Sequence, residues 1–313
     1  MGPFSLIDFS EHTLAKLLLA MTATICLQEQ LSLVLVTSPV PSNPSTELLE
    51  HVLNSFFAAY QGLAECDAWV VSDGFRVAEP AQRPKPKAGR IAEGMVAPYE
   101  EFRSRLDALA HVRHVRAPEH KGFAGCLHIA LRKVFTPYVL VLQHDRPCLR
   151  AIDATSLLEA MEHFGVKYLG LPTKASLART SEEYLASSWR IRPEVLQLKD
   201  TSDRVLRPLL FWYDSAHICS VEHYKDLVFR KGREWSGGFI EDSFGQEMQI
   251  ALRQASSTGT WREVHQIYST YLYDDGCGPI IGHLDGRRYR PETGRTLMEV
   301  EKRKLTGWMP SFT

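Results

Sequence analysis

The sequence predicts an α/β protein whose mostly parallel central sheet is flanked by helices. Three stretches indicate this: an apolar run at Leu31–Thr37, helical spacing of apolar residues across Thr46–Tyr60, and a second apolar run at Ala68–Ser72. A strand, a helix and a strand in this order form a βαβ unit, which favours parallel pairing. Runs that are apolar throughout are typical of strands buried on both faces.

The rest of the chain continues in strands and helices. Helices are predicted at residues 98–109, 122–134, 153–164, 223–229 and 240–255, and strands at residues 111–116, 138–142, 167–171, 209–220 and 268–273. The run YVLVL at Tyr138–Leu142 is the clearest of these strands, whereas residues 209–220 are expected at an edge of the sheet.

The chain has no internal repeat and no linker, so residues 1–313 are predicted to form one domain. Residues 1–30 are interpreted as an amphipathic helix packed on the body of that domain. Residues 75–97 include the basic, proline-rich stretch RPKPKAGR and are interpreted as a flexible insertion, either a functional lid or a plain surface loop.

Composition narrows the functional class and the compartment. The 36 basic and 37 acidic residues nearly balance, which argues against nucleic acid as a partner. The six cysteines form no CxxC pair and mostly lie in apolar runs, so they are expected to be reduced, as in the cytoplasm. The apolar run at 14–27 is too short to span a bilayer, so no integral membrane segment is predicted; peripheral association stays open.

Polar residues follow several of the predicted strands. Thr37 and Ser38 end the first strand, Asp73 follows the second, and Gln143, His144 and Asp145 follow the strand at 138–142. Open parallel sheets bind ligands at the carboxyl ends of their strands. The sequence therefore predicts a binding site along this edge.

Asp145 is the most informative of these residues. A carboxylate directly after a buried strand can bind a divalent cation that bridges two phosphates, or it can cap the turn before Pro147. Gln143 and His144 are candidates for contact with the metal or with a ribose. His283 is a weaker candidate for a metal or phosphate ligand, with a structural role as the alternative.

Two further segments could take part in chemistry. Lys121 and Gly122 precede a predicted helix, where a phosphate could bind, although an ordinary turn with a solvated lysine fits as well. Glu241 and Asp242 follow a Gly-Gly turn and begin a helix, where acids either cap the helix or act as a general base. Asp242 is the preferred base, since a hydroxyl group is a poor nucleophile until a carboxylate takes its proton.

The order of these motifs resembles that of the GT-A glycosyltransferases, family 2-like group. The resemblance lies in LVLVTSPVP (33–41), VVSDG (70–74), HKGFAGCLHIAL (120–131), YVLVLQHDRP (138–147) and GGFIEDSFGQEM (237–248). It implies a GT-A fold, a nucleotide-diphosphate sugar donor, a glycan or other hydroxyl acceptor, transfer with inversion, and Mn²⁺ or Mg²⁺ as the cofactor. The chain departs from the pattern where Gln143 replaces the first acid of the DxD motif, and where His128 stands at a common asparagine position.

Two other functions are compatible with such a sheet. A nucleotidyltransferase would carry a glycine-rich basic loop after the first strand, where this chain reads SPVPSNPS. A non-catalytic sugar- or nucleotide-binding relative would keep the fold without turnover. A dinucleotide-binding dehydrogenase is disfavoured because no GxGxxG follows the first strand.

Overall fold

The computed structural model describes residues 26–79, 81–85, 88–198, 203–231, 235, 237–284, 286 and 289. Most of the helix predicted over residues 1–30 lies outside this part of the chain. Its last residues form one helical turn, Leu27–Gln30, which leads directly into the first strand. The one-domain organisation of residues 1–313 stays a prediction.

A nine-stranded sheet organises the described part of the chain. The described residues form eleven strands, in chain order β1 (Leu31–Thr37), β2 (Ala68–Ser72), β3 (Arg76–Val77), β4 (Arg90–Ile91), β5 (Arg113–Arg116), β6 (Tyr138–Gln143), β7 (Tyr168–Gly170), β8 (Leu196–Gln197), β9 (Val205–Pro208), β10 (His217–Ser220) and β11 (Thr270–Asp274). The sheet order is β5-β2-β1-β6-β10-β7-β11-β9-β8, and β3 and β4 form a separate parallel pair. Seven of the nine strands run in one direction, and β9 and β10 run against them.

Helices cover both faces of this sheet. The longer ones are α1 (Glu47–Ala59), α2 (Val96–Asp107), α3 (Gly122–Leu131), α4 (Ala154–Phe164), α5 (Lys174–Thr180), α6 (Gln246–Thr258) and α7 (Trp261–Tyr268). Leu33 and Leu35 of β1 pack with α1, α2 and α4, whereas Val34 and Val36 pack with α3 and α6. Because alternate residues of β1 are covered on opposite faces of the sheet, all seven residues of the strand are buried and most of them are apolar. The predicted α/β class with a mostly parallel central sheet is confirmed.

The strand predicted over residues 209–220 is wrong in both position and extent. Only its last part forms a strand, β10, and this strand lies inside the sheet between β6 and β7 with all four residues buried. The buried polar residue His217 of this strand has its hydrogen-bond partners inside the protein. The ring of His217 bonds to the carbonyl of Ser215 and to the hydroxyl of Tyr224.

The segment 75–97 packs close to the carboxyl edge of the sheet. Strands β3 and β4 pair in parallel within it, and Gly89 lies directly against His120. A Cβ at Gly89 would lie 2.1 Å from the ring of His120, and the residue has φ +68°. Glycine is therefore required at this contact. Flexibility of the segment stays a prediction.

In the described residues, no helix combines the length and the apolar character needed to cross a membrane.

Candidate functional site

The carboxyl ends of β1, β2 and β6 lie side by side. Thr37 pairs with Ser72 and Val36 pairs with Gln143, so the residues that follow these strands share one edge. Thr37 is buried and its carbonyl accepts a hydrogen bond from the backbone N–H of Asp73 at 2.8 Å. Ser38 is partly exposed at the same edge. The juxtaposition expected from the sequence is therefore present, and the ligand-binding roles of these residues stay predictions.

Asp73 is buried and holds the beginning of α3. Its carboxylate accepts hydrogen bonds from the backbone N–H groups of Lys121 at 2.7 Å and Gly122 at 3.1 Å. The Nδ1 atom of His120 lies 2.7 Å from its Oδ2 atom. A carboxylate at this position satisfies otherwise unpaired N–H groups and is stabilised by the helix dipole. In this arrangement Asp73 fixes the turn before α3.

Gly122 is the point where α3 meets the segment 237–242. Its φ is +67°, and a Cβ there would lie 2.2 Å from the backbone nitrogen of Gly238. The N–H of Ala124 donates to the carbonyl of Gly238 at 3.1 Å. Only glycine permits this approach, so Gly122 is a close-packing residue. The neighbouring Lys121 side chain is exposed and forms an ion pair with Glu119 at 2.6 Å.

Asp145 and His283 meet although they are far apart in sequence. Residues 280–284 run antiparallel to residues 145–149 and form three backbone hydrogen bonds with them, Leu149 to Ile280, Gly282 to Pro147 and Leu284 to Asp145. This pairing puts the Nε2 atom of His283 3.3 Å from Oδ2 of Asp145. The N–H of Gly286 donates to the same oxygen at 3.4 Å. The structure thus joins two residues that the sequence suggested independently.

The surroundings of Asp145 favour its ionised form. Burial raises the pKa of the Asp145 carboxyl, but the hydrogen bond from His283 and the charges of His144, His283 and Arg146 outweigh it. The pKa is therefore held well below its usual range, and the group is a carboxylate at neutral pH.

The donor atoms at this point fit a diphosphate-bound cation. Asp145 supplies a carboxylate and His283 an imidazole, and a hard divalent cation takes its remaining ligands from phosphate oxygens and water. His144 lies close by, since a Cβ at Gly286 would lie 3.3 Å from its Nε2 atom and 3.4 Å from Cβ of Asp145. Within the part of the chain that the structure describes, no group of three or more His, Cys, Asp or Glu side chains is arranged to hold a metal ion.

Asp214 is a residue of this site that the sequence reasoning missed. Its carbonyl accepts a hydrogen bond from Nε2 of Gln143 at 2.7 Å. Its N–H donates to Oε2 of Glu241, and the N–H of Glu241 donates to Oδ2 of Asp214, both at 3.1 Å. Burial and then the charge of Glu241 raise the pKa of Asp214 well above its usual value. The residue was hidden inside the wrongly predicted strand 209–220.

Glu241 and Asp242 differ in their surroundings. They begin a five-residue π-helical turn, Glu241–Gly245, that leads into α6. Glu241 is partly buried and bound to Asp214, whereas Asp242 is exposed, with its N–H donating to the carbonyl of Phe239 at 3.3 Å. The two acids that the sequence grouped together are therefore placed differently.

These contacts form one continuous rim. It runs from Asp73 through the beginning of α3 to residues 237–242, then through Asp214 and Gln143 to the pair Asp145–His283. The rim offers an exposed lysine, a carboxylate–imidazole pair and an exposed carboxylate. Such a set can contact a diphosphate and accept a proton.

No family model and no curated protein sequence matches the chain. Matches among solved structures include TarS of S. aureus, residues 1–349, with 11% identity and a TM-score of 0.36 over 63% of this chain and 48% of TarS. The mannosyltransferase PcManGT of Pyrobaculum calidifontis, in complex with GDP-Man and Mn²⁺, has 14% identity and a TM-score of 0.37 over 73% of this chain and 52% of its own. GalNAc-T7, in complex with UDP, GalNAc and Mn²⁺, has 12% identity and a TM-score of 0.45 over 82% of this chain and 44% of its own. The chain spans about half the length of each of these structures.

Proposed function

We propose that this chain is a glycosyltransferase that moves a sugar from a nucleoside diphosphate to the hydroxyl group of a glycan or another acceptor. The continuous polar rim at the carboxyl edge of the sheet is the observation that carries the proposal. It joins Asp73 and the beginning of α3, the pair Asp145–His283 and the turn with Glu241–Asp242. The resemblance of the five sequence motifs to GT-A glycosyltransferases supports the same function.

The donor is proposed to lie along the rim with its diphosphate near Lys121 and Gly122. The Lys121 side chain is exposed there, and its ammonium supplies a positive charge to the diphosphate. Ser38 and His144 are proposed to contact the nucleoside. Three residues at the same edge are proposed to hold these contacting residues in place: Thr37 and Asp73, which are buried, and Gln143, which bonds to the carbonyl of Asp214.

A divalent cation, Mn²⁺ or Mg²⁺, held by Asp145 and His283 would neutralise negative charge on the diphosphate. Two observations support this role of Asp145 and His283. Asp145 is ionised at neutral pH, and the pairing of residues 280–284 with 145–149 holds His283 beside it.

The transfer needs a base on the acceptor side, and Asp242 is proposed for this role. Its carboxylate takes the proton of the acceptor hydroxyl while that oxygen bonds to the anomeric carbon. The bond from this carbon to the diphosphate oxygen breaks, and the nucleoside diphosphate leaves with the electron pair. Attack from the face opposite the leaving group inverts the anomeric configuration.

Donor binding is tested by thermal shift with UDP-GlcNAc, GDP-mannose and dTDP-glucose, each with and without Mn²⁺. A donor at about 100 times its Kd stabilises the folded state by about 2.7 kcal/mol, a rise in Tm on the order of 5 °C. Asp145→Ala should abolish the shift. Asp226→Ala is the matched control, because Asp226 is exposed beside the beginning of β6, at the opposite edge of the sheet.

Turnover is then followed as release of nucleoside diphosphate from the donor that binds. Asp242→Asn should retain the thermal shift and lose turnover. A binding protein without activity would show the shift in every variant except Asp145→Ala and no release in any of them. Pyrophosphate release from a nucleoside triphosphate would indicate a nucleotidyltransferase instead. No shift with any donor would refute the proposal.

A further inference from the structure

Asp214 and Glu241 form a reciprocal hydrogen-bonded pair, and the proposed role of Asp242 as the base does not use this pair. Each carboxylate accepts the backbone N–H of the other residue at 3.1 Å. Asp214 is 1% exposed, and its Oδ1 atom has no hydrogen-bond partner among the described residues. Because the side chain is buried, an acceptor hydroxyl cannot reach it, and Asp214 is not placed to take a proton from a substrate. We call the two hydrogen bonds between Asp214 and Glu241 the clamp.

The segment that carries Asp214 is fixed to the sheet on several sides. Gln143 at the end of β6 donates to the carbonyl of Asp214, and the hydroxyl of Tyr168 in β7 donates to the carbonyl of Tyr213 at 2.6 Å. Two residues further on, the carbonyl of Ala216 accepts the N–H of Leu171 at 3.0 Å. The backbone of Asp214 is therefore a rigid part of the sheet edge.

The segment 237–242 is fixed at both of its ends. At one end Gly238 packs on Gly122 and accepts the N–H of Ala124. At the other end Glu241 is clamped to Asp214. Asp242 follows the clamp directly, with an exposed side chain. The position of its carboxylate is thus set by the preceding residue.

We propose that Asp214 is a positioning residue for the transfer reaction. Together with Glu241 it locks the backbone ahead of Asp242, so that Glu241 is used for positioning and Asp242 alone takes the proton. This inference rests on the proposed function. A displacement of about 1 Å at a reacting group can cost about 100-fold in rate, which is the expected scale of the effect.

The clamp itself is tested without any donor, by hydrogen exchange of the full chain. Glu241→Ala removes the acceptor for the Asp214 N–H, and amide exchange in peptides covering 211–216 and 237–245 should accelerate about tenfold. Glu241→Gln retains an amide oxygen as acceptor and should stay close to the wild-type exchange rate. Glu263→Ala, an exposed glutamate on α7, is the matched control. Equal exchange in Glu241→Ala and the wild type would overturn the clamp.

The division of roles is tested by donor hydrolysis with water as acceptor, using the nucleotide sugar that gives the thermal shift. Glu241→Ala and Asp214→Ala should lower kcat about 100-fold, with the KM for the donor within about threefold of the wild-type value. The conservative variants Glu241→Gln and Asp214→Asn should have a kcat at least tenfold higher than the corresponding alanine variants. The acid limb of the pH–rate profile should persist in Glu241→Gln, whereas Asp242→Asn should bind the donor without turning it over. Because Asp214→Ala could fail to fold, the test depends on the Glu241 pair and on Asp214→Asn.

The outcomes separate the two proposals. If Glu241→Gln binds the donor but loses turnover while Asp242→Asn keeps it, Glu241 is the base and the positioning role is wrong. If the clamp appears in hydrogen exchange while the wild type binds and hydrolyses no donor, the proposed function fails and the assignment of Asp242 fails with it. Accelerated exchange in Glu241→Ala together with a retained acid limb in Glu241→Gln supports the inference.

Discussion

Acid should destabilise this protein through His217, which lies at the centre of a buried aromatic cluster. The ring is fully buried and stacks on Tyr168 with centroids 4.5 Å apart. Its Nδ1–H donates to the carbonyl of Ser215 at 2.6 Å, so Nε2 accepts from the hydroxyl of Tyr224. In the neutral ring, each nitrogen therefore has a hydrogen-bond partner. Protonation would require Nε2 to donate to an oxygen that already donates to it.

The size of the acid-induced loss in the free energy of unfolding follows from the shift in the pKa of His217. Burial lowers this pKa from 6.5 to about 4, although the hydrogen bond to Ser215 opposes the shift. Between these two values the unfolded chain binds a proton that the folded protein does not, so stability rises with pH. The stabilisation is complete above pH 6.5 and is lost as the pH falls towards 4. Between pH 7 and pH 5 the loss from this group is about 2 kcal/mol.

The assay is urea unfolding at pH 7, 6 and 5, compared between the wild type and His217→Gln. The variant should be less stable at pH 7, and its loss of stability between pH 7 and pH 5 should be smaller by about 2 kcal/mol. His163→Gln, at an exposed position on α4, should leave the pH dependence of the wild type unchanged. An identical pH dependence in His217→Gln and the wild type would refute the reasoning.

Three further predictions concern packing and the edge of the sheet. Gly122→Ala should destabilise the fold by about 1–3 kcal/mol in urea unfolding, because it combines φ +67° with a backbone contact at 2.2 Å, whereas Gly94→Ala has open space and should change little. Arg150→Lys should replace the two bonds to Asp275, at 2.6 and 2.7 Å, by at most one. We expect the free energy of unfolding to fall by about 1 kcal/mol and the donor-induced rise in Tm with Mn²⁺ to be smaller, because the loop that carries His283 is held less firmly. Leu53→Ala, at a core position 1% exposed, should cost about 2–5 kcal/mol in calorimetry, and a cost below 1 kcal/mol would contradict the assigned packing.

The local pattern of apolar residues was sufficient to predict the strands and helices that are buried on one face or on both. The strand at 31–37 and the helix after Thr46 appear in the structure almost as predicted, because burial on both faces of a strand and on one face of a helix leaves distinct periods in the sequence. The strand at 138–143 was found for the same reason. The rule that ligands bind at the carboxyl ends of parallel strands then located the edge at which the candidate residues lie.

Sheet order could not be obtained in this way. Residues 209–220 were predicted at an edge of the sheet, yet β10 lies between β6 and β7. Whether a strand lies at an edge depends on which other strands pair with it. β10 pairs with β6 and β7, which lie far from it in the sequence, and no local pattern encodes this pairing.

The sequence by itself determined the α/β class, the principal strands and helices, and the edge of the sheet where polar groups collect. Tertiary structure decided which of those groups meet: Asp145 with His283, Gly122 with Gly238, and Asp214 with Glu241. The physical reason is that burial periodicity is a property of neighbouring residues, whereas each of these contacts depends on how separate segments pair and pack at one edge of the sheet.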